Sequence, residues 1–153
     1  MIMDLNEFLK SNHLKLQTPT RNEIDQHFKI VLRDLNDARF PSISPDRKFA
    51  TAYNAALQLT TIVLRAKGYR TNPSQAGHHR ICIQVLPLIM GKKYTPFSDY
   101  LNTCRLKRHA CEYTAVDEVS EKEASQLIEK TEAFYKEVVI WLKGYFPEIF
   151  TRI

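Results

Sequence analysis

The stretch Pro45-Asp-Arg-Lys-Phe-Ala-Thr-Ala-Tyr-Asn-Ala-Ala-Leu-Gln-Leu-Thr-Thr-Ile-Val-Leu-Arg-Ala-Lys67 decides the fold, because its apolar residues are not confined to one face. Phe49, Ala52, Tyr53, Ala56, Leu57, Leu59, Ile62, Val63 and Leu64 recur at helical spacing and cover more of the circumference than the single stripe of a surface helix. Such a helix needs neighbours on more than one side, so it reads as the centre of a bundle. Ser44 with Pro45 supplies an N-cap and a first-turn proline, and Gly68 supplies the stop.

Upstream, Thr20 with Glu23 three residues later is a capping-box signature, and Ile24, Phe28, Val31, Leu32 and Leu35 carry a helix to about Ala38. Phe40-Pro-Ser-Ile-Ser-Pro45 breaks it. Asp4 to Ser11 reads as a short amphipathic helix, followed by a polar connector through Gln17. Downstream, Tyr69 to Ala76 reads as a polar loop. Gly77-His-His-Arg then introduces Ile81, Ile83, Val85, Leu86, Leu88 and Ile89, a pattern open to helix or strand. Among helical neighbours an isolated strand has nothing to pair with, so the spacing is read as a helix with Pro87 inside and Gly91 at its end. Thr95-Pro96 repeats the Ser44-Pro45 signal and opens a helix holding Tyr100 to Tyr113. Thr114 to Val119 reads as a polar turn. Ser120-Glu-Lys-Glu123 is a second capping box before Ala124, Leu127, Ile128, Thr131, Phe134, Val138, Trp141 and Leu142. Tyr145 to Ile153 is an aromatic tail. The expectation is an all-α, antiparallel up-and-down bundle of four long helices plus one or two short ones. With 153 residues, 44% of them hydrophobic, the chain suits a single domain over 1–153, its core bundle over about 20–143.

The net charge of +5 is unevenly spread: Arg39 to Tyr113 carries twelve Lys/Arg against three Asp/Glu, and Thr114 onward five against eight. The middle of the chain is therefore where an anionic partner is expected. Three cysteines without a Cys-x-x-Cys pair argue against a disulfide framework or a zinc ribbon and fit a reducing cytoplasm. Met1 to Leu16 carries Asp4 and Glu7 and has no apolar run, so it is not read as a signal peptide. No stretch approaches the ~18 apolar residues of a membrane span. A cytoplasmic protein without membrane partners is expected.

Tyr100-Leu-Asn-Thr-Cys-Arg-Leu-Lys-Arg-His-Ala-Cys-Glu-Tyr113 gathers the candidate site residues. At about 100° per residue, Leu101, Cys104, Arg105, Arg108, Cys111 and Glu112 fall on one side, so the arginines share a face with apolar residues. A guanidinium there needs a carboxylate, a subunit interface or an anionic ligand. One reading pairs Arg108 with Glu112 four residues on and lets Arg105 snorkel to water. The other makes Arg105, Lys107, Arg108 and His109, with His78 and His79, a phosphate-binding set. Metal-free RNA cleavage needs only a proton acceptor, a cation at the phosphate and an acid for the leaving oxygen, which histidine and arginine supply. His78, His79 and Cys82 have metal-ligand spacing, but no second cluster completes four ligands; neither metal nor cofactor is expected. The wide apolar surface of the central helix, with Leu101, Cys104 and Cys111 beside the arginines, leads to the expectation of a homodimer.

The order of these features is more specific than any one of them. Tyr53-Asn-Ala-Ala-Leu in the central helix, Gly77-His-His before the next, Arg105-Leu-Lys-Arg-His-Ala-Cys-Glu-Tyr113, and the final Ser120 to Leu142 helix resemble the HEPN (higher eukaryotes and prokaryotes nucleotide-binding) superfamily, over roughly Ile24 to Leu142. The resemblance implies a dimerising helical bundle and, in many members, a metal-independent ribonuclease, often a toxin encoded with a nucleotidyltransferase-like antitoxin. The family's signature is Arg-Asn-x-x-x-His. Here Arg108 matches the arginine, His109 stands at the asparagine and Tyr113 at the histidine. A tyrosine, with an ordinary pKa near ~10, is a poor general base at neutral pH. The resemblance therefore implies a module that binds RNA, a nucleotide or a partner protein, as a component of a toxin–antitoxin or defence pair. Its alternative is a ribonuclease with His109 in the acid-base role, Arg105 and Arg108 on the phosphate and Tyr113 as orienter.

Overall fold

The computed structural model describes residues 3–113 and 117–150, the side chains of Glu112 and Tyr113 excepted. In order the chain forms α1 (Leu5–Lys10), β1 (Leu14–Leu16), α2 (Arg21–Ala38), α3 (Pro45–Ala66), β2 (Tyr69–Thr71), α4 (His78–Met90), α5 (Thr95–Tyr113) and α6 (Glu121–Tyr145), with 3-10 turns at Lys92–Tyr94 and Pro147–Ile149. The fold is an all-α bundle: α2, α3, α5 and α6 are long, and α1 and α4 are shorter. Among the described residues no helix is long and apolar enough to cross a membrane.

Local chemistry starts most of these helices. Thr20 and Ser120 each accept from the N–H of a glutamate three residues on, and that glutamate reaches back to the cap N–H. Asp4 and Glu7 do the same for α1, while Ser44 caps α3 with Pro45 in its first turn. The Thr95-Pro96 start differs from this pattern. Thr95 already has helical dihedrals (φ −58°, ψ −45°), continuous with the preceding 3-10 turn, so it is not an extended cap like Ser44. Gly68, just beyond α3, has φ +96°, a conformation an L side chain resists, and it turns the chain directly into β2.

The second departure is that β2. The connector before α2 and the loop after α3 pair as an antiparallel ribbon, Leu14 with Thr71, Lys15 with Arg70 and Leu16 with Tyr69. Leu14 is buried and anchors it, whereas Leu16 is largely exposed. Asn72 closes one end: its side chain donates to the Asn12 carbonyl (2.9 Å) and accepts from Ser74 N–H (3.1 Å).

Helix α3 divides the core. One side, with Ala52, Tyr53, Ala56, Leu57 and Leu64, packs with Phe8 of α1, Ile81 and Ile83 of α4, Leu101 and Cys104 of α5 and Leu127 of α6. The other side, with Ala55, Leu59, Ile62 and Val63, packs with Ile24, Phe28, Val31 and Leu35 of α2 and with Phe134 and Val138 of α6. The apolar surface that suggested a second subunit is thus covered within the chain. Leu101 and Cys104 are buried in it as well.

Arg65, near the end of α3, is buried and makes five hydrogen bonds. Its Nε donates to Glu23 Oε1 (2.5 Å) and Nη2 to Oε2 (3.1 Å); Nη1 donates to the carbonyls of Gln17 (3.0 Å) and Tyr69 (2.7 Å), and Nη2 to that of Thr18 (3.3 Å). One guanidinium therefore ties α3 to the start of α2, to the connector and to the ribbon. The Arg65 bond holds the Glu23 carboxyl below its ordinary value. A carboxylate depressed in this way stabilises the fold above its unfolded pKa and loses that contribution as pH falls through the folded one.

Two expectations follow from this packing. Arg65→Ala should cost about 3 kcal/mol at neutral pH, since it strands a half-buried carboxylate and three carbonyls. In urea titrations run from neutral pH down past 4.5, the ordinary Glu23 value, the gap between wild type and variant should narrow to the part owed to the carbonyls; a gap independent of pH would dismiss the ion pair as a source. The second concerns Thr131, fully buried in α6, whose hydroxyl has no hydrogen-bond partner among the described residues. Thr131→Val should stabilise by ~1 kcal/mol, because the hydroxyl carries an unreturned desolvation cost; a lower urea midpoint would contradict this.

Candidate anion-binding site

The basic residues of α5 divide by direction. Arg108 is half-buried, with its guanidinium carbon over the Tyr53 ring of α3 at 5.5 Å from the centroid. Arg105, one turn earlier and also half-buried, donates through Nε to Asn102 Oδ1 (3.0 Å). Lys107 is turned instead toward α6, where its Nζ meets Glu123 Oε2 at 2.6 Å. His109 is exposed. The proposed Glu112 partner of Arg108 and the orienting role of Tyr113 lie outside the described side chains.

Helix α4 completes the arrangement. The rings of Tyr53 and His79 are 6.1 Å apart, and those of His79 and His78 are 6.3 Å apart. Arg108, Tyr53, His79 and His78 thus form a row contributed by α5, α3 and the first turn of α4. Gly77 places the two histidines: it begins α4 in a left-handed conformation (φ +81°) immediately before His78. Beside the row lies a cleft of about 400 Å³ whose lining includes Gln58 and Thr61 of α3, Arg70 of β2, and both histidines. Gln58 is held in place by His27 of α2, whose Nδ1 lies 2.6 Å from Gln58 Oε1.

The electrostatics limit what these groups can do. Burial pushes the Tyr53 phenol up to about 12 despite the opposing pull of Arg108 and Arg105. It also pushes the Cys82 thiol, in the cleft wall, up to about 11. Cys104 rises to about 11 and Tyr100 rises too, both chiefly through burial. At neutral pH these groups are protonated, so none offers a nucleophilic thiolate or a phenolate base. The arginines and imidazoles are the groups suited to binding an anion or moving a proton. Among the described residues no group of three or more His, Cys, Asp or Glu side chains could hold a metal ion.

Of the residues singled out in the sequence, Arg108 and His79 both lie against Tyr53, His78 is beside His79 and Arg105 is one turn before Arg108, while Lys107 is turned to α6 and His109 is exposed. Gln58, Thr61 and Arg70, which line the cleft, and Tyr53, buried beside His79, were not foreseen as site residues. Tyr53 has the spacing of a core residue, and its hydroxyl was the one clue to anything else. Arg70 arrives through the ribbon, which no local pattern announces. Comparisons of the chain with protein-family models, with characterised proteins and with solved structures give no match.

The phenol of Tyr53 has a measurable consequence. A group whose pKa is raised by folding keeps its contribution below its unfolded value of 10.0 and loses it as pH climbs toward about 12. Stability measured against pH should therefore be parallel for wild type and Tyr53→Phe up to that lower value. Above it, wild type should fall relative to the variant. Parallel curves throughout would show that Tyr53 is solvated in the fold.

Proposed function

We propose that this chain is a HEPN-type binding module in which Arg105 and Arg108 of α5, with His79 and His78 of α4, hold the phosphate groups of RNA or of a nucleotide. The observation that carries the reading is the convergence at Tyr53: an arginine over its ring, and on its other side an imidazole, His79, that also borders an open cleft lined by His78, Gln58, Thr61 and Arg70. Arginine suits the task because its planar fork matches a phosphate bidentately and is weakly hydrated. The uneven charge of the sequence and the order of its motifs support the same reading.

Fluorescence anisotropy with a labelled oligouridylate and, separately, with ADP tests it and distinguishes the two phosphate sources. Wild type should bind, and log affinity should fall linearly with log salt as counterions are released. Arg105→Ala and Arg108→Ala should each weaken binding and reduce that slope by about one contact. Lys107→Ala, which removes a half-exposed pair with Glu123, should leave binding close to wild type. Unchanged binding with a marked drop in melting temperature would assign the arginines to packing. Cleavage of the oligouridylate in the presence of chelator, lost in His109→Ala, would replace the binding module with the ribonuclease.

A further inference from the structure

Two buried hydroxyls among the described residues lack a hydrogen-bond partner, those of Tyr53 and Thr131. Both leave the free protein with a desolvated, idle donor. Their surroundings differ. Thr131 lies on the core face of α6 with Leu127, Ile128 and Phe134. Tyr53 lies where α3 meets α4 and α5, and the charges acting most on its phenol are Arg108 and then Arg105. Phenylalanine would fill the Tyr53 site and remove the cost. The residue present instead keeps an O–H beneath the two cations that the preceding reading assigns to a phosphate.

We infer that the Tyr53 hydroxyl is a donor of the anion site, made to hydrogen-bond a phosphate oxygen that Arg105 and Arg108 draw in. The inference rests on the phosphate-binding reading and extends it to a neutral, buried donor. The side chain over the Tyr53 ring is Arg108, which is half-buried, so a ligand that engages its guanidinium is brought to the edge of the Tyr53 pocket. The phenol stays protonated at neutral pH, so it acts as a donor and not as a base. A hydroxyl fixed by packing before the ligand arrives loses little side-chain entropy on binding, and a hydrogen bond to an anion is stronger than one between neutral groups.

The test compares wild type, Tyr53→Phe, Thr131→Val, Arg105→Ala and Arg108→Ala for oligouridylate binding across a salt series and for melting temperature without ligand. Tyr53→Phe should weaken binding by about tenfold, the value of a hydrogen bond to a charged group. Its salt dependence should match wild type, because a phenol releases no counterion. Its melting temperature should hold or rise by roughly 2–4 °C. Thr131→Val should shift melting temperature alone. Unchanged affinity in Tyr53→Phe, while the arginine variants lose theirs, would overturn the Tyr53 inference and leave the phosphate reading standing. A flattened salt dependence in Tyr53→Phe would mean that the substitution acts by displacing Arg108, and a lowered melting temperature would mean that the phenol already has a partner; either overturns the inference. Wild type without salt-dependent binding would overturn both readings.

Discussion

The bidentate pair between Arg65 and Glu23 is the constraint on which the rest of this bundle depends. Glu23 is already committed to the capping box of α2, where its carboxylate accepts from Thr20 N–H at 3.0 Å. The same carboxylate then accepts two bonds from α3, and the remaining donors of that guanidinium collect carbonyls from the connector and from β2. Hydrophobic contact between α2 and α3 is non-directional and would tolerate a slip by a turn. The fork of Arg65 does not, because it must find its carboxylate and the carbonyls of Gln17, Thr18 and Tyr69 together. A buried ion pair gives little net stability by itself, but here it fixes the register of α2 against α3 and with it the position of the ribbon.

The other end of the bundle repeats the device. Glu123 completes the capping box of α6, accepting from Ser120 N–H at 3.0 Å, and the same carboxylate holds Lys107 of α5. Asp46, in the first turn of α3, accepts from the N–H groups of Asp117 and Val119 (2.7 and 3.1 Å), and Lys48 two residues on pairs with Glu121 (2.7 Å). Helix starts are where unpaired N–H groups and carboxylates gather, so joining helices through their caps uses groups that must be satisfied in any case. Lys107 is thereby drawn to α6 and away from Arg108, although the two are adjacent in sequence. The basic run of α5 is split between a joint to α6 and the ring of Tyr53.

That division marks how far the sequence was legible. Helix content, the caps at Thr20, Ser44 and Ser120, and the central place of α3 follow from local signals, each complete within a few residues. Thr95 was misread because its dipeptide matches Ser44-Pro45, while its conformation is set by the 3-10 turn before it. The β1–β2 ribbon was invisible: each strand has three residues, and their pairing joins positions that only the completed bundle brings together. Arg65 likewise carries no local signal beyond that of a last-turn arginine, which is common at a helix C-terminus for electrostatic reasons, and its partner lies 42 residues away. At the site, the helical face of Arg105 and Arg108 was legible from spacing. The joining of that face to His79 through Tyr53 depends on how α4 and α5 cross α3, and periodicity carries no such information.

Tyr53 and Thr131 show why an unsatisfied buried group needs its surroundings before it has a meaning. Both hydroxyls are desolvated and both sit at core spacing on long helices, so their sequence contexts look alike. Thr131 is enclosed by apolar side chains, where no ligand has a route and no charge would draw one. Tyr53 is equally buried, but the side chain over its ring is a half-exposed cation, Arg108, and a second, Arg105, acts on its phenol. Desolvation makes a donor costly when idle and strong when used, since the same low dielectric that penalises the empty hydroxyl strengthens its bond to an anion. A cost of this kind is useful only where an anion can reach it, and the proposed phosphate site would bring one to the arginines of α5 that act on the phenol.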